Sequence, residues 1–409
     1  MDKPRKASLA RCEIIKSMPI IADDGNNPYG SCGENQRVES IMQVVEAFSS
    51  SYAQARVKFL DAAREAGLPV TSYPHPLPGR DGEVLALDVA LDGPPDADQL
   101  LMLSSGCHGV EGYCGSGVQV AALYDAAFRA SCAAAGVAVL YLHALNPYGF
   151  SYIRRLTHEN VDLNRNFQDF SKPLPENRVY RDLHSLLLPD KWPPGPLNVA
   201  ALAWYVVTHG MKAGQAAVSG GQYEFADGLF YGGVAPTWSN QALRQVLRAH
   251  AAHAGRLAWI DLHTGLGAAG ACERGFAGKS DDHAGMARAR QWWGGNGATP
   301  ITTFGDGSSV SAPLTGLMWS AVFDECPNAE ITAIGMEFGT KSLLQVLQAL
   351  RAEQWLTNHP GAPAAQAAQI RQDLRDAFFV DTPDWKEKIV SQARQAMLQA
   401  IDGLNSAKN

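Results

Sequence analysis

What the chain has little of narrows it first. Charged residues make up only 18% of its 409 positions, no block of lysines or arginines occurs, and the net charge of −7 is diffuse. Without a basic stripe the electrostatic footprint of nucleic-acid binding is missing, so no such partner is expected. No apolar run approaches the roughly 18 residues of a membrane span, so no membrane partner is expected either. Met1 to Ala22 carries basic residues but neither a continuous apolar core nor a small-residue cleavage site, so no secretory signal is read there. The seven cysteines (12, 32, 107, 114, 132, 272, 326) are odd in number and form no CxxC pair. That usage fits a reduced, cytoplasmic protein rather than a disulfide framework. Common catalytic signatures are missing too. His158-Glu159 opens like HExxH, but Asp162 stands where the second histidine belongs. Gly278-Lys279-Ser280 ends like a P-loop, but Glu273 replaces its first glycine. Ser116 lacks the flanking glycine of a nucleophile elbow because position 114 is Cys, and no GxGxxG follows a strand.

Against these absences stands an apolar content of 46%, enough for a substantial core. Residues 1–46 are dense in turn residues such as Asp23-Asp24-Gly25-Asn26-Asn27-Pro28 and read as an irregular extension. Ser49 to Gly67 has helical spacing, a serine cap and a glycine stop. Glu83–Leu91 and Asp98–Leu103 read as strands, Gly115–Arg129 as a helix, and Val137–Leu142 as a buried strand. Strand, turn, helix, strand is the pattern of a parallel α/β sheet. Leu197–Lys212 and Gln241–Ala254 read as helices, Leu257–Asp261 and Ile331–Phe338 as strands, and Ser342–Glu353 and Trp385–Asp402 as closing helices. Pro173–Pro196 reads as loop with a short helix. With neither repeat nor linker, residues 47–409 form one expected domain: a mixed, largely parallel β-sheet flanked by helices.

Reactive side chains gather where the buried strands end, which is where ligands sit in open α/β sheets. His108 and Glu111 lie three apart on the turn after Asp98–Leu103, a spacing that can place an imidazole nitrogen and a carboxylate oxygen on one metal ion. Asp261 and His263 share one face of their strand, so Asp261 can either orient the imidazole or cap the adjoining loop. Glu337 closes an otherwise apolar strand, where a carboxylate is costly unless it is paired or functional, and it suits a general base. Arg154, Arg155 and Arg165 are interleaved with Asn and apolar residues rather than Lys and Glu, which favours an anion-binding pocket over a solvated surface.

Together, His-x-x-Glu, Asp162-Leu163-Asn164-Arg165-Asn166-Phe167, Asp261-Leu262-His263-Thr264-Gly265 and Glu337-Phe338-Gly339-Thr340 resemble the zinc carboxypeptidase-like superfamily. Within it the chain looks closest to an uncharacterised bacterial branch near aspartoacylase and succinylglutamate desuccinylase, from about Phe48 to Asp402. The resemblance implies a zinc carboxypeptidase-like (phosphorylase/hydrolase-like) fold. It implies one Zn2+ held by His108, Glu111 and His263, and Glu337 as general base and proton shuttle. Asn164 and Arg165 match the pair that binds a substrate carboxylate, and Arg155, or failing it Arg154, would polarise the scissile carbonyl. His158 stands where the family usually has Asn, adding an imidazole near the pocket. Tyr223 and Tyr231 are candidates for the tyrosine that covers the substrate. The implied activity is hydrolysis of an amide in a small molecule or short peptide bearing a carboxylate. The alternatives are an esterase or deacylase on the same metal, or a metal-dependent carboxylate-binding protein without turnover.

Overall fold

The computed structural model describes residues 44–294, 300–303, 307–309 and 314–406, so nearly all of the expected N-terminal extension and part of the segment Phe304–Gly316 lie outside the described residues. In chain order the helices are α1 (Tyr52–Glu65), α2 (Gly112–Tyr124), α3 (Ala126–Ala135), α4 (Pro147–Tyr152), α5 (Leu163–Asn166), α6 (Arg178–Leu187), α7 (Pro196–His209), α8 (Met211–Ser219), α9 (Trp238–His250), α10 (His283–Trp293), α11 (Ser320–Glu325), α12 (Leu343–Asn358), α13 (Ala364–Phe378) and α14 (Pro383–Ser406). The strands are β1 (Val70–Pro74), β2 (Ala86–Asp92), β3 (Gln99–Ser105), β4 (Val137–His143), β5 (Arg256–Thr264), β6 (Cys272–Phe276), β7 (Ile301–Thr302) and β8 (Glu330–Phe338).

They form one eight-stranded sheet in the order β1-β2-β4-β3-β5-β8-β6-β7. The four central strands β4, β3, β5 and β8 run parallel, while β2 joins β4, and β6 joins β8, antiparallel. Buried on both faces, β3 is apolar without alternation. Its Leu101 and Leu103 enter one core with α1, α2, α3 and α14, and its Leu100 and Met102 enter a second core with α9 and α11. Because the central strands are parallel, their carboxyl ends share one edge of the sheet. His108 and Glu111, Asn146, His263 and Glu337 all arrive there.

The expected strands and helices are present, with boundaries moved for local reasons. The stretch read as one helix from Gly115 to Arg129 breaks at Asp125, whose carboxylate caps α3 by accepting from the Phe128 N–H. The stretch Leu197–Lys212 likewise splits into α7 and α8 at Gly210, where φ is +85°. In both stretches the helical spacing runs on across the break, and only the single residues Asp125 and Gly210 mark it. The edge strands β1 and β7, the inner strand β6, and helices α4, α5, α10, α11 and α13 are not among the expected elements. Of these, β1 is mostly exposed and β7 only two residues long, so neither shows a buried apolar run.

Candidate metal centre and active site

The turn that carries His108 and Glu111 is held by its own backbone against the arginine loop. The Gly109 N–H donates to the Arg155 carbonyl (3.1 Å) and the Val110 N–H to that of Arg154 (2.8 Å). This approach needs glycine, because a Cβ at position 109 would overlap the Gly149 backbone. The ligand turn and Arg155 are therefore built as one piece.

Ligand atoms of His108, Glu111 and His263 all lie within 4.8 Å of one another, and the three residues are buried. The arrangement is nearly symmetric. His108 Nδ1 lies 2.8 Å from Glu111 Oε1, and His263 Nδ1 lies 2.9 Å from Glu111 Oε2. Each imidazole meets an aspartate with its other nitrogen: His108 Nε2 is 3.2 Å from Asp162 Oδ1, and His263 Nε2 is 2.5 Å from Asp261 Oδ2. Such backing fixes the tautomer that turns Nδ1 toward a metal. Two imidazoles and one carboxylate, each imidazole backed by a carboxylate, fit zinc with a fourth position for water or substrate. Cys107, Asp261 and His263 also converge, but Asp261 is already spent. Its Oδ1 accepts from Ser104 Oγ (2.5 Å), and its Oδ2 meets both His263 and the Trp319 indole N–H (3.2 Å). Gly335, opposite Asp261 in the β5–β8 register, leaves room for that indole. Of the two roles open to Asp261, orienting the imidazole is the one its contacts serve.

The electrostatics follow from these contacts. Burial works against a charged His263, but the Asp261 and Glu111 carboxylates at its two nitrogens prevail and raise it well above the usual imidazole range. Burial also opposes ionised Glu111, yet His108 and His263 hold it well below the usual carboxylate range. Asp162, fully buried, is likewise held down by Arg155, Arg165 and His108. Glu337 is the opposite case. Partly buried and paired in register with His263, it is pushed up to about 8 by desolvation and by the charge of Glu111, although the Leu266 N–H donates to its Oε1 (3.0 Å).

Arg155 faces the cluster. It donates from Nη1 to Glu111 Oε1 (3.0 Å) and from Nε to Asp162 Oδ2 (3.0 Å), and its Nη2 lies 2.7 Å from His108 Nε2. Arg154 turns the other way, donating to Glu353 (2.5 Å) and Asn160 (2.7 Å), so of the two arginines only Arg155 reaches the site. Asn164 and Arg165 follow Asp162, which caps their short helix. Asn164 Oδ1 accepts from the Met318 N–H (3.0 Å), leaving its NH2 group as a donor. Arg165 donates to the carbonyls of Asn164 (2.9 Å) and Ser219 (2.5 Å), while its buried Nε has no hydrogen-bond partner among the described residues. Both Arg155 and Arg165 stack near the Phe230 ring, at 5.4 and 5.6 Å from its centroid.

A cavity of about 540 Å3 opens over these groups, lined by His108, Arg155, Asn164, Arg165, His263 and Glu337 among others. The two tyrosines do not line it. The Tyr223 hydroxyl donates to the Arg165 carbonyl (2.7 Å), bracing that residue from behind, and Tyr231 contributes a carbonyl that accepts from the Asp162 N–H (2.8 Å). Nor does His158, which sits 3.2 Å from His75 in an aromatic cluster with Tyr148. Asp162, Ser104, Trp319 and Phe230 had no role assigned from sequence. Only Asp162 offered a signal, as a carboxylate immediately before a short Leu-Asn-Arg-Asn helix.

No curated protein matches the chain in sequence. Solved structures match it in fold. Thrombin-activatable fibrinolysis inhibitor is 12% identical with a TM-score of 0.50, over 90% of this chain and 82% of that one. The bovine form, in complex with tick carboxypeptidase inhibitor, is 11% identical with a TM-score of 0.45, over 88% of this chain and 98% of that one. A metallo-carboxypeptidase from Pseudomonas aeruginosa is 13% identical with a TM-score of 0.36, over 79% and 66%. The match at a TM-score of 0.50 shows a carboxypeptidase-like fold; the expected closeness to aspartoacylase is not shown. The family model described as a protein of unknown function, DUF2817, matches residues 48–392, and the chain belongs to that family.

Proposed function

We propose that this chain is a zinc-dependent hydrolase that cleaves an amide bond in a small, carboxylate-bearing substrate. The observation that carries the reading is the convergence of His108, Glu111 and His263 beside a carboxyl, Glu337, whose proton affinity is raised toward neutrality. Held by those three residues, zinc would supply Lewis acidity at the scissile carbonyl, a water with its pKa drawn toward 7, and a positive field offsetting the push of Glu111 on Glu337.

The chain's own residues supply the rest. Glu337 takes a proton from the attacking water and hands it to the leaving nitrogen, a task for which a pKa near the working pH is best. Arg155 is positioned to donate to the carbonyl oxygen as its negative charge grows. Asn164, through its NH2, and Arg165, through its guanidinium charge, both lining the cavity, orient the substrate carboxylate. Asp162 and Asp261 hold the imidazoles and Arg155 in place rather than meeting substrate.

The test is a mass-spectrometric screen of dipeptides and N-acyl amino acids against the zinc-loaded wild type and Glu337→Gln, with zinc counted by elemental analysis. Stoichiometric zinc and turnover lost in the variant are expected. Protein that holds no zinc, or turnover unchanged by Glu337→Gln, would sink the proposal.

A further inference from the structure

The cavity over the site does not end with its polar groups. It continues between α6, α7, α8 and α12, where Leu183, Leu202, Val206, Val218, Val346 and Leu347 line it. The one arginine in this wall, Arg351, spends its donors on the Leu187 and Leu186 carbonyls and on Asn198 Oδ1, tying α12 to the α6–α7 segment. Tyr205, Gln215, Ser219 and Gln348 also touch the cavity from these helices, but aliphatic side chains predominate there, and the charged groups other than Arg351 sit at the other end with His108, Arg155, Arg165, His263 and Glu337.

The composition of α7 makes this extension unusual. Its sequence, Pro-Leu-Asn-Val-Ala-Ala-Leu-Ala-Trp-Tyr-Val-Val-Thr-His, is apolar around most of the helix, yet none of its residues is buried. A helix apolar on all sides is normally enclosed in a core or a membrane. Here even the residues that face the cavity, Leu202 and Val206, are only partly covered. The mouth is apolar as well. Val199, Val207, Met211 and Leu344 line the cavity and are each at least half exposed. An apolar surface of this kind, open at one end and joined at the other to a carboxylate-binding and metal-binding cluster, is complementary to an amphiphile.

We infer that the substrate carries a long alkyl chain: an N-acyl amino acid whose aliphatic acyl group lies in the channel between α7 and α12 and whose amino-acid carboxylate meets Asn164 and Arg165. The inference rests on the hydrolase reading above and names its substrate class. In the reaction water adds across the acyl carbon–nitrogen bond. Carbon–oxygen bond formation replaces the carbon–nitrogen bond, the proton passes through Glu337 to nitrogen, and a fatty acid and a free amino acid leave. No other reactant is needed.

The test compares acetyl-, hexanoyl-, dodecanoyl- and hexadecanoyl-glycine on the zinc-loaded protein, with binding of the same ligands to zinc-loaded Glu337→Gln measured by calorimetry. Each buried methylene is worth about a fourfold gain, so kcat/KM and affinity should climb with chain length until the channel is full. Val206→Trp and Leu202→Trp should cut the dodecanoyl-to-acetyl ratio about tenfold or more. Because that ratio is internal to each variant, a misfolded fraction cancels from it. Hydrolysis without chain-length dependence overturns the alkyl site and leaves the hydrolase reading standing. Tight, length-dependent binding with no turnover in the wild type does the reverse. Chain-length-independent binding together with a dimer that Trp204→Glu dissociates overturns the inference and assigns the apolar helix to self-association.

Discussion

Glu337→Gln should make the metal-free protein more stable, by an amount that grows from nothing at about pH 4 to its full size near pH 8. The folded chain holds this carboxyl near 8, whereas an ordinary glutamate titrates at 4.5. Below about pH 4 it is protonated in both folded and unfolded chains and contributes nothing to their difference. As pH rises, the unfolded chain releases the proton freely while the folded chain must keep it, so stability falls until about pH 8. At about 1.4 kcal/mol per pH unit, that gap sets an upper bound of about 5 kcal/mol. The cleft is partly open to solvent and Glu337 interacts with Glu111 and His263, which reduces the expected gain to roughly 1–3 kcal/mol. Glutamine cannot ionise, and its carbonyl can still accept from the Leu266 N–H, so the substitution should recover most of that. For a chain of this length the unfolding entropy near 60 °C is roughly 0.8 kcal/mol per degree, so the midpoint should rise by about 1–4 °C at pH 8. Thermal and urea denaturation of the chelator-treated proteins across a pH series measures it. A gain of equal size at about pH 4 and pH 8, or no gain at pH 8, would refute the reasoning.

Three further outcomes are expected. His263→Ala should abolish stoichiometric zinc while the far-UV spectrum stays that of a folded α/β protein; retained zinc would mean that the metal sits elsewhere. Asp162→Asn leaves Arg155 and Arg165 without their shared buried partner, so it should lower stability by roughly 2–5 kcal/mol and zinc affinity about 10- to 100-fold. An unchanged zinc titration would remove Asp162 from its positioning role. Arg155→Lys should lower kcat by roughly 100-fold or more with a smaller change in KM, because a lysine cannot reproduce the directed donations to Glu111 and Asp162 that aim the guanidinium. A purely KM effect would place Arg155 in ground-state binding instead.

Much of the site was legible because its chemistry is concentrated in a few unusual strand endings. An apolar strand finishing in His-Thr-Gly or Glu-Phe-Gly carries a cost that only a paired or working side chain justifies, so His263 and Glu337 announce themselves. The partners that orient them do not. Trp319 reaches Asp261 from the far side of a segment with no strand or helix signal, and Phe230 lies between two arginines because a loop at positive φ, 53°, turns it there. These depend on tertiary placement, which local pattern does not encode. The tyrosines show the same limit. Tyr223 sits close to Arg165, but it meets the backbone carbonyl, and sequence gives no sign of which side of a residue its neighbour will approach. The channel was illegible for another reason: α7 reads as an ordinary apolar helix until its exposure is seen.

The pairing of His263 with Glu337 across β5 and β8 has an evolutionary consequence. Neighbouring strands lie about 4.8 Å apart whatever surrounds them, so the ladder itself sets the spacing of the backbone positions that carry the His263 imidazole and the Glu337 carboxyl. Neither residue depends on a loop for that spacing. The helical segment from α6 to α8 can therefore be lengthened, shortened or repacked while these two side chains keep their places. Selection on such a scaffold can explore substrates in one part of the chain and conserve chemistry in another, so relatives with unlike cavities could share a nearly unchanged strand-end constellation.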